Sequence, residues 1–315
     1  MKKEEFYFTS KDEIHKLHGV RYSPEEGREI RCVLQIVHGM AEYVERYEEF
    51  AEYLTERGYV VVGEDHLGHG KSVGKQGKFG YFCGTDPATA LVENVHRLRE
   101  ITQKIYSEVP YVLMGHSMGS FITRNYMFRH GEGLSGVIIM GTGMESFMTV
   151  KLAQGVAAVQ RLFLGDRHIS RLIDRMAFGR YNRKVEHPRT AFDWLSRDGN
   201  RVDRYIADPQ CGFVFTVNGF RALFELISRL YSGKNLEQIP KRLPVCLVSG
   251  TGDPVGGYGV GVKKAYGSLR KAGMEDVTMK LYPEGRHELL NEINRDEVTQ
   301  NLCRWLERMV LKETR

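Results

Sequence analysis

A serine set between two glycines is the first group in this chain with an evident chemistry. Gly115-His116-Ser117-Met118-Gly119 follows the apolar run YVLM and precedes the helical pattern MGSFITRNYMFRHG. A chain that turns this sharply from strand to helix strains its central residue and lifts the hydroxyl clear of the sheet. The flanking positions must then be glycine, because a side chain at 115 or 119 would strike the neighbouring strand or helix. A serine hydroxyl is a poor nucleophile until a base takes its proton, and the base needs an acid to orient it. Such an elbow requires the chain order serine, acid, histidine, with both partners just beyond later strands. Asp253 in PVCLVSGTGDPVG and His287 in VTMKLYPEGRHELLNE meet that requirement. Ser117 is then the nucleophile and His287 the general base. Asp253 fixes the imidazole tautomer and stabilises its protonated form.

Other stretches offer competing chemistry and are weaker. YVVVGEDHLGHGKS ends like a phosphate-binding loop, but the position of its leading glycine holds Asp65, whose carboxylate would repel a phosphate. His66 and His69 form an H-x-x-H pair without a third ligand at a suitable spacing, so turn histidines bonded to the backbone are expected. His38 is read as bracing its own loop, and His116 as pointing away from the nucleophile. HELLNE begins like a zinc-protease helix, but the second histidine is replaced by Asn291. No metal and no cofactor is implied, and a nucleotide-binding protein is kept as an alternative.

Elements of two kinds must position these groups. RCVLQIVHG, YVVVGED, YVLMGHS, LSGVIIMGTG, PVCLVSGTGD and VTMKLYPEG are near-continuous apolar runs, the pattern of parallel strands covered on both faces. Helical patterns lie between them: YEEFAEYLTERG, DPATALVENVHRLREITQKIY with an Asp-Pro start, MGSFITRNYMFRHG, VGVKKAYGSLRKAGM and EVTQNLCRWLERMVLKETR. The first two segments, EEFYFTS and EIHKLHGVRYSP, suit an antiparallel hairpin. Regular alternation predicts an α/β fold with a doubly wound, mostly parallel sheet. The rhythm breaks after Gly143 and resumes at Pro244. Residues 1–142 and 236–315 are therefore assigned to the core domain, and 143–235 to a helical cap inserted into it.

The bulk composition fits this division. The chain has 315 residues and a formal net charge of +5. Residues 143–235 hold 15 Lys plus Arg against 9 Asp plus Glu, so the basic surplus lies in the insertion. It suits either a solvated helical surface or contact with anionic head groups. Five dispersed cysteines without a C-x-x-C pair argue against a disulfide framework and a zinc cluster, and fit a reducing, cytoplasmic setting. The N-terminus has no apolar signal segment, and no run reaches membrane-spanning length. No nucleic-acid partner is expected.

HGMAEYVERY, DHLGHGKS, GHSMGS, SGTGDPVG and EGRHELLNE together give the chain a pattern that resembles the α/β-hydrolase superfamily, in its monoacylglycerol lipase and lysophospholipase branch. The resemblance implies a structural turn for DHLGHGKS, tied down by Asp65, and an oxyanion hole formed by the amides of Met40 and Met118. It also implies a cap with an apolar entrance for lipid chains. VKLAQGVAAVQRLFLG, including Phe163, suits that entrance or simply packs on the core. Phe213 and Phe215 in DPQCGFVFTVNGF are candidates to line the pocket or to fill the aromatic core. The family loop H-G-x-G-E-H departs here at Ala41 and Tyr43, and Ser120 replaces a glycine after the elbow. Glu42 and Arg46 keep a spacing at which they can pair. The expected activity is hydrolysis of small or mono-acyl esters, monoacylglycerol or lysophospholipid above all, with transient membrane or micelle contact through the cap. Peptidase, thioesterase or acyl-transfer chemistry on the same triad is an alternative, as is a non-catalytic ligand-binding role.

Overall fold

The computed structural model describes residues 1–75 and 77–312. Strands β1 (Lys2–Thr9) and β2 (Lys16–Ser23) form the expected antiparallel pair. The apolar runs become β3 (Cys32–Val37), β4 (Tyr59–Glu64), β5 (Tyr111–His116), β6 (Gly136–Met140), β7 (Val245–Gly250) and β8 (Val277–Tyr282). All eight join one sheet in the order β1-β2-β4-β3-β5-β6-β7-β8. β2 meets β4 antiparallel, and every later pairing is parallel. From β3 through β7 every strand residue is buried, as two-sided coverage demands.

Side-chain alternation splits the sheet into two cores. Val33, Val60, Leu113, Ile139 and Leu247 pack beneath α2 (Pro87–Gln103), α3 (Met118–His130) and α9 (Val260–Lys271). Leu34, Val61, Met114, Ile138 and Val248 face α1 (Glu48–Thr55) and α10 (Arg295–Trp305) on the other side. Asp86 caps α2 by accepting from the Thr89 amide at 3.2 Å, with Pro87 in the first turn. After α10 the chain widens into a looser turn over Leu306–Val310; the end of the helix expected there, residues 313–315, lies outside the described residues.

Between β6 and β7 run α4 (Phe147–Leu164), α5 (Arg171–Phe178), α6 (Gly199–Ala207), α7 (Val217–Arg229) and α8 (Gly233–Glu237). The expected seam at residue 235 falls inside α8. Phe220, Phe224 and Leu226 of α7 join the core shared by α2 and α3, so this helix is anchored to the sheet domain. Thr216 Oγ1 donates to the Gly80 carbonyl at 2.6 Å, and Asn218 bridges the Phe82 amide and the Cys83 carbonyl. Among the described residues no helix is long and apolar enough to cross a membrane, and all five cysteines are free.

Candidate active site

The end of β5 and the start of α3 make the turn that the glycines require. Ser117 sits between them at φ 52° and ψ −119°, a strained conformation that costs a non-glycine residue about 1–3 kcal/mol. Its amide donates to the Met140 carbonyl at 3.0 Å, which ties the elbow to β6. A Cβ on Gly119 would lie 1.9 Å from the Val37 carbonyl oxygen, and one on Gly115 would lie 2.3 Å from Thr123 Oγ1. Both positions are held by close backbone approach. The Ser120 hydroxyl adds a bond to the Ser117 carbonyl at 2.5 Å.

Asp253 and His287 leave the carboxyl ends of β7 and β8 and meet. Nδ1 of His287 lies 3.0 Å from each Asp253 carboxylate oxygen, and both side chains are buried. Asp253 also accepts from the Ser249 hydroxyl at 3.1 Å and the Val255 amide at 2.8 Å, so its orientation is fixed independently of the ring. The His287 ring stands against Gly141, the residue after the one that holds the Ser117 amide. It lies between the His116 ring at 4.8 Å and the Trp194 ring at 5.1 Å. Trp194 belongs to the inserted segment, whose backbone reaches the histidine loop: the Glu288 amide donates to the Leu195 carbonyl at 2.8 Å. Among the described residues no hydrogen bond joins the Ser117 hydroxyl to the imidazole; such contacts often tighten only in a substrate complex.

The loop after β3 faces the elbow, where a Cβ on Gly39 would come 3.1 Å from Ser117 Cβ. Two of its amides are committed. Gly39 N–H donates to Glu42 Oε1 at 2.6 Å, and Ala41 N–H donates to His69 Nε2 at 3.2 Å. Met40 N–H lies between them and has no hydrogen bond to a described residue, the condition an oxyanion donor must satisfy. Glu42 also accepts from Tyr47 at 2.9 Å, His116 Nδ1 at 3.1 Å and Arg46 at 2.7 Å. Arg46 holds Glu288 through two bonds of 2.7 and 2.8 Å. Burial pushes the Glu42 carboxyl up, but the hydrogen bond from His116 and the charge of Arg46 outweigh it and hold the group ionised well below the usual range. Burial lowers the His116 pKa, and its bond to Glu42 more than restores it, so the net shift is upward. His116 thus joins the Glu42 carboxylate to the His287 carbonyl, 3.3 Å from its Nε2.

The remaining expected residues divide. Asp65 accepts from the Val44 and Lys71 amides at 3.0 and 2.9 Å and from His18 Nδ1 at 2.9 Å, which closes the DHLGHGKS turn. His66 and His69 contact the carbonyls of His38 and Leu67 through ring nitrogens, and His38 Nδ1 bonds the Gly39 carbonyl. Phe215 is fully buried against Phe82 and Phe220, hence part of the core. Phe213 packs against Phe79, with ring centroids 4.7 Å apart and tilted by 42°, and with Lys78 and Arg171 lines a surface cavity of about 430 Å³. Phe163 is 76 % exposed on the outer face of α4. Trp194, Ser249 and Glu288 are site neighbours that spacing alone did not single out. Trp194 had one signal, being one of two tryptophans.

A parallel sheet with a serine elbow on a central strand and a carboxylate-bound histidine at neighbouring strand ends defines an α/β hydrolase. A family model described as "Serine aminopeptidase, S33" matches residues 28–294, and the chain belongs to that family. It is 27% identical over 278 residues to monoglyceride lipase of Rattus norvegicus, covering 86% of this chain and 80% of that protein. It is likewise 27% identical over 282 residues to monoacylglycerol lipase of Mycolicibacterium smegmatis, covering 88% of each. The crystal structure of a thermostable carboxyl esterase from Bacillus coagulans, in complex with glycerol, superposes with a TM-score of 0.91 at 30% identity, over 98% of this chain and 99% of that one.

Proposed function

We propose that this protein is a serine hydrolase of carboxylic esters, with monoacylglycerol-type lipids as its substrate class. Ser117 Oγ attacks the ester carbonyl while His287 Nε2 takes its proton, and Asp253 holds Nδ1–H and stabilises the imidazolium. The amides of Met40 and Met118 receive the oxyanion. His287 returns the proton to the leaving alcohol, giving an acyl-enzyme on Ser117. A water deprotonated by His287 then releases the acid and restores the serine.

The observation that carries this reading is the His287–Asp253 contact, 3.0 Å from Nδ1 to both oxygens, beside a serine at φ 52°. The substrate class is supported by the lipase and esterase relatives, while the family description keeps amide cleavage in view. The segment over residues 143–235 serves as the cap. Its α4 turns Met148, Leu152, Leu162 and Phe163 outward, all more than half exposed, which suits brief contact with a micelle or membrane surface.

A panel of 1- and 2-monoacylglycerols, lysophospholipids, acyl thioesters and aminoacyl anilides tests the class. Monoacylglycerol turnover is expected to exceed the rest, and preferential anilide cleavage would reassign the enzyme as a peptidase. Ser117→Ala is expected to abolish both turnover and fluorophosphonate labelling while the protein stays folded.

A further inference from the structure

We infer that Tyr205, on α6 of the cap, is a positioning residue for the oxyanion loop, acting through the carbonyl of Ala41. This rests on the hydrolase reading above and adds a way in which cap docking assembles the site.

The loop contains a conformational conflict. Ala41 lies at φ 53°, in the left-handed region that favours glycine and penalises any residue with a Cβ. It is adjacent to Met40, whose amide has no hydrogen bond to a described residue. Ala41 must therefore be held where it is, and its two backbone groups are held from different sides. The sheet domain holds its N–H through His69 Nε2 at 3.2 Å. The inserted segment holds its carbonyl twice, through the Tyr205 hydroxyl at 3.0 Å and the Gly212 amide at 3.0 Å.

Tyr205 is itself well fixed. It is 6 % exposed, with the Arg46 guanidinium 4.8 Å from its ring centroid and Phe192 at 5.3 Å. A second strap joins the same two parts: Tyr43 donates to Asp208 just after α6, at 2.7 Å. Rotation of the Ala41 peptide toward an unstrained conformation would carry the neighbouring Met40 amide out of line. The cap supplies two of the three bonds that oppose this rotation. Withdrawing α6 from the loop therefore weakens the oxyanion hole without touching Ser117, Asp253 or His287.

The test is Tyr205→Phe, which removes one hydroxyl and keeps the ring. On p-nitrophenyl acetate and octanoate kcat should fall about tenfold for both esters with KM little changed, because an oxyanion donor is displaced rather than deleted. Adding Ala41→Gly should restore most of the lost kcat, since glycine adopts the left-handed conformation without penalty. A loss confined to KM, a loss that depends on acyl length, or no rescue by Ala41→Gly would overturn the inference. Amide hydrogen exchange of peptides spanning residues 38–43 reads the loop without substrate. Exchange should quicken in Tyr205→Phe and return toward wild type in the double variant; unchanged exchange overturns the inference. A wild type that turns over no ester but shows the expected exchange pattern would sink the hydrolase reading alone. Tyr43→Phe, which cuts the other strap, should shift exchange in the same direction if Tyr205→Phe folds poorly.

Discussion

His287 presents Nδ1 to Asp253 at 3.0 Å from each carboxylate oxygen, so the ring is oriented by a group that β7 positions independently. Replacing Asp253 by Asn removes the charge and favours the wrong tautomer. Turnover is expected to fall by about four orders of magnitude, with KM affected far less. Steady-state kinetics on one chromogenic ester measures this, and a loss of less than tenfold would remove Asp253 from the catalytic set.

Arg46 is enclosed by Glu42 and Glu288, with its side chain only 12 % exposed. Arg46→Ala leaves two buried carboxylates without their cation and should destabilise the protein by about 3–5 kcal/mol. Arg46→Lys should recover only part of this, because a single ammonium cannot make the paired bonds to Glu288. Urea unfolding of the two variants gives the comparison.

Acid should destabilise the fold before the carboxylates titrate. Burial, together with the neighbouring histidines, lowers the pKa of His38 well below its usual value and that of His69 to about 3. Both stay neutral in the folded state while the unfolded chain binds protons below about pH 6.5. The unfolded state thus carries the extra protons, and stability falls as pH drops from about 6.5, by up to about 1.4 kcal/mol per unit for each histidine. His116 is shifted the other way: its contribution is complete below pH 6.5 and is lost as pH rises through its raised pKa. Unfolding free energies at pH 7 and 5.5 test the slope, which His69→Gln should reduce by roughly half a proton averaged over that interval.

Gly119 allows α3 to rest on the end of β3. In Gly119→Ala the new methyl meets the Val37 carbonyl at 1.9 Å, so helix or strand must move. A stability loss of about 1–3 kcal/mol is expected, with a larger proportional loss of activity because Ser117 moves with the helix. Normal turnover in this variant would contradict the packing described.

The sheet was legible because its central strands are buried on both faces and therefore read as unbroken apolar runs. The order Ser117, Asp253, His287 was legible because each follows such a run. Trp194 and Tyr205 were not, since their relation to the site depends on how the inserted helices fold back across it. Phe213 and Phe215 show the same limit. Two residues apart in one apolar stretch, one borders a cavity and the other is core, and only three-dimensional packing separates them. Ala41 was visible as a departure from the family loop. Its positive φ and its bonds to the inserted segment came only with the structure.

β8 is the last strand of the sheet, paired on one side only, yet the loop that follows it carries His287. The imidazole of the proposed triad is therefore moored at a margin, while Ser117 is moored near the centre. Fraying at that margin under mild denaturant would silence the enzyme while most of the molecule remained native.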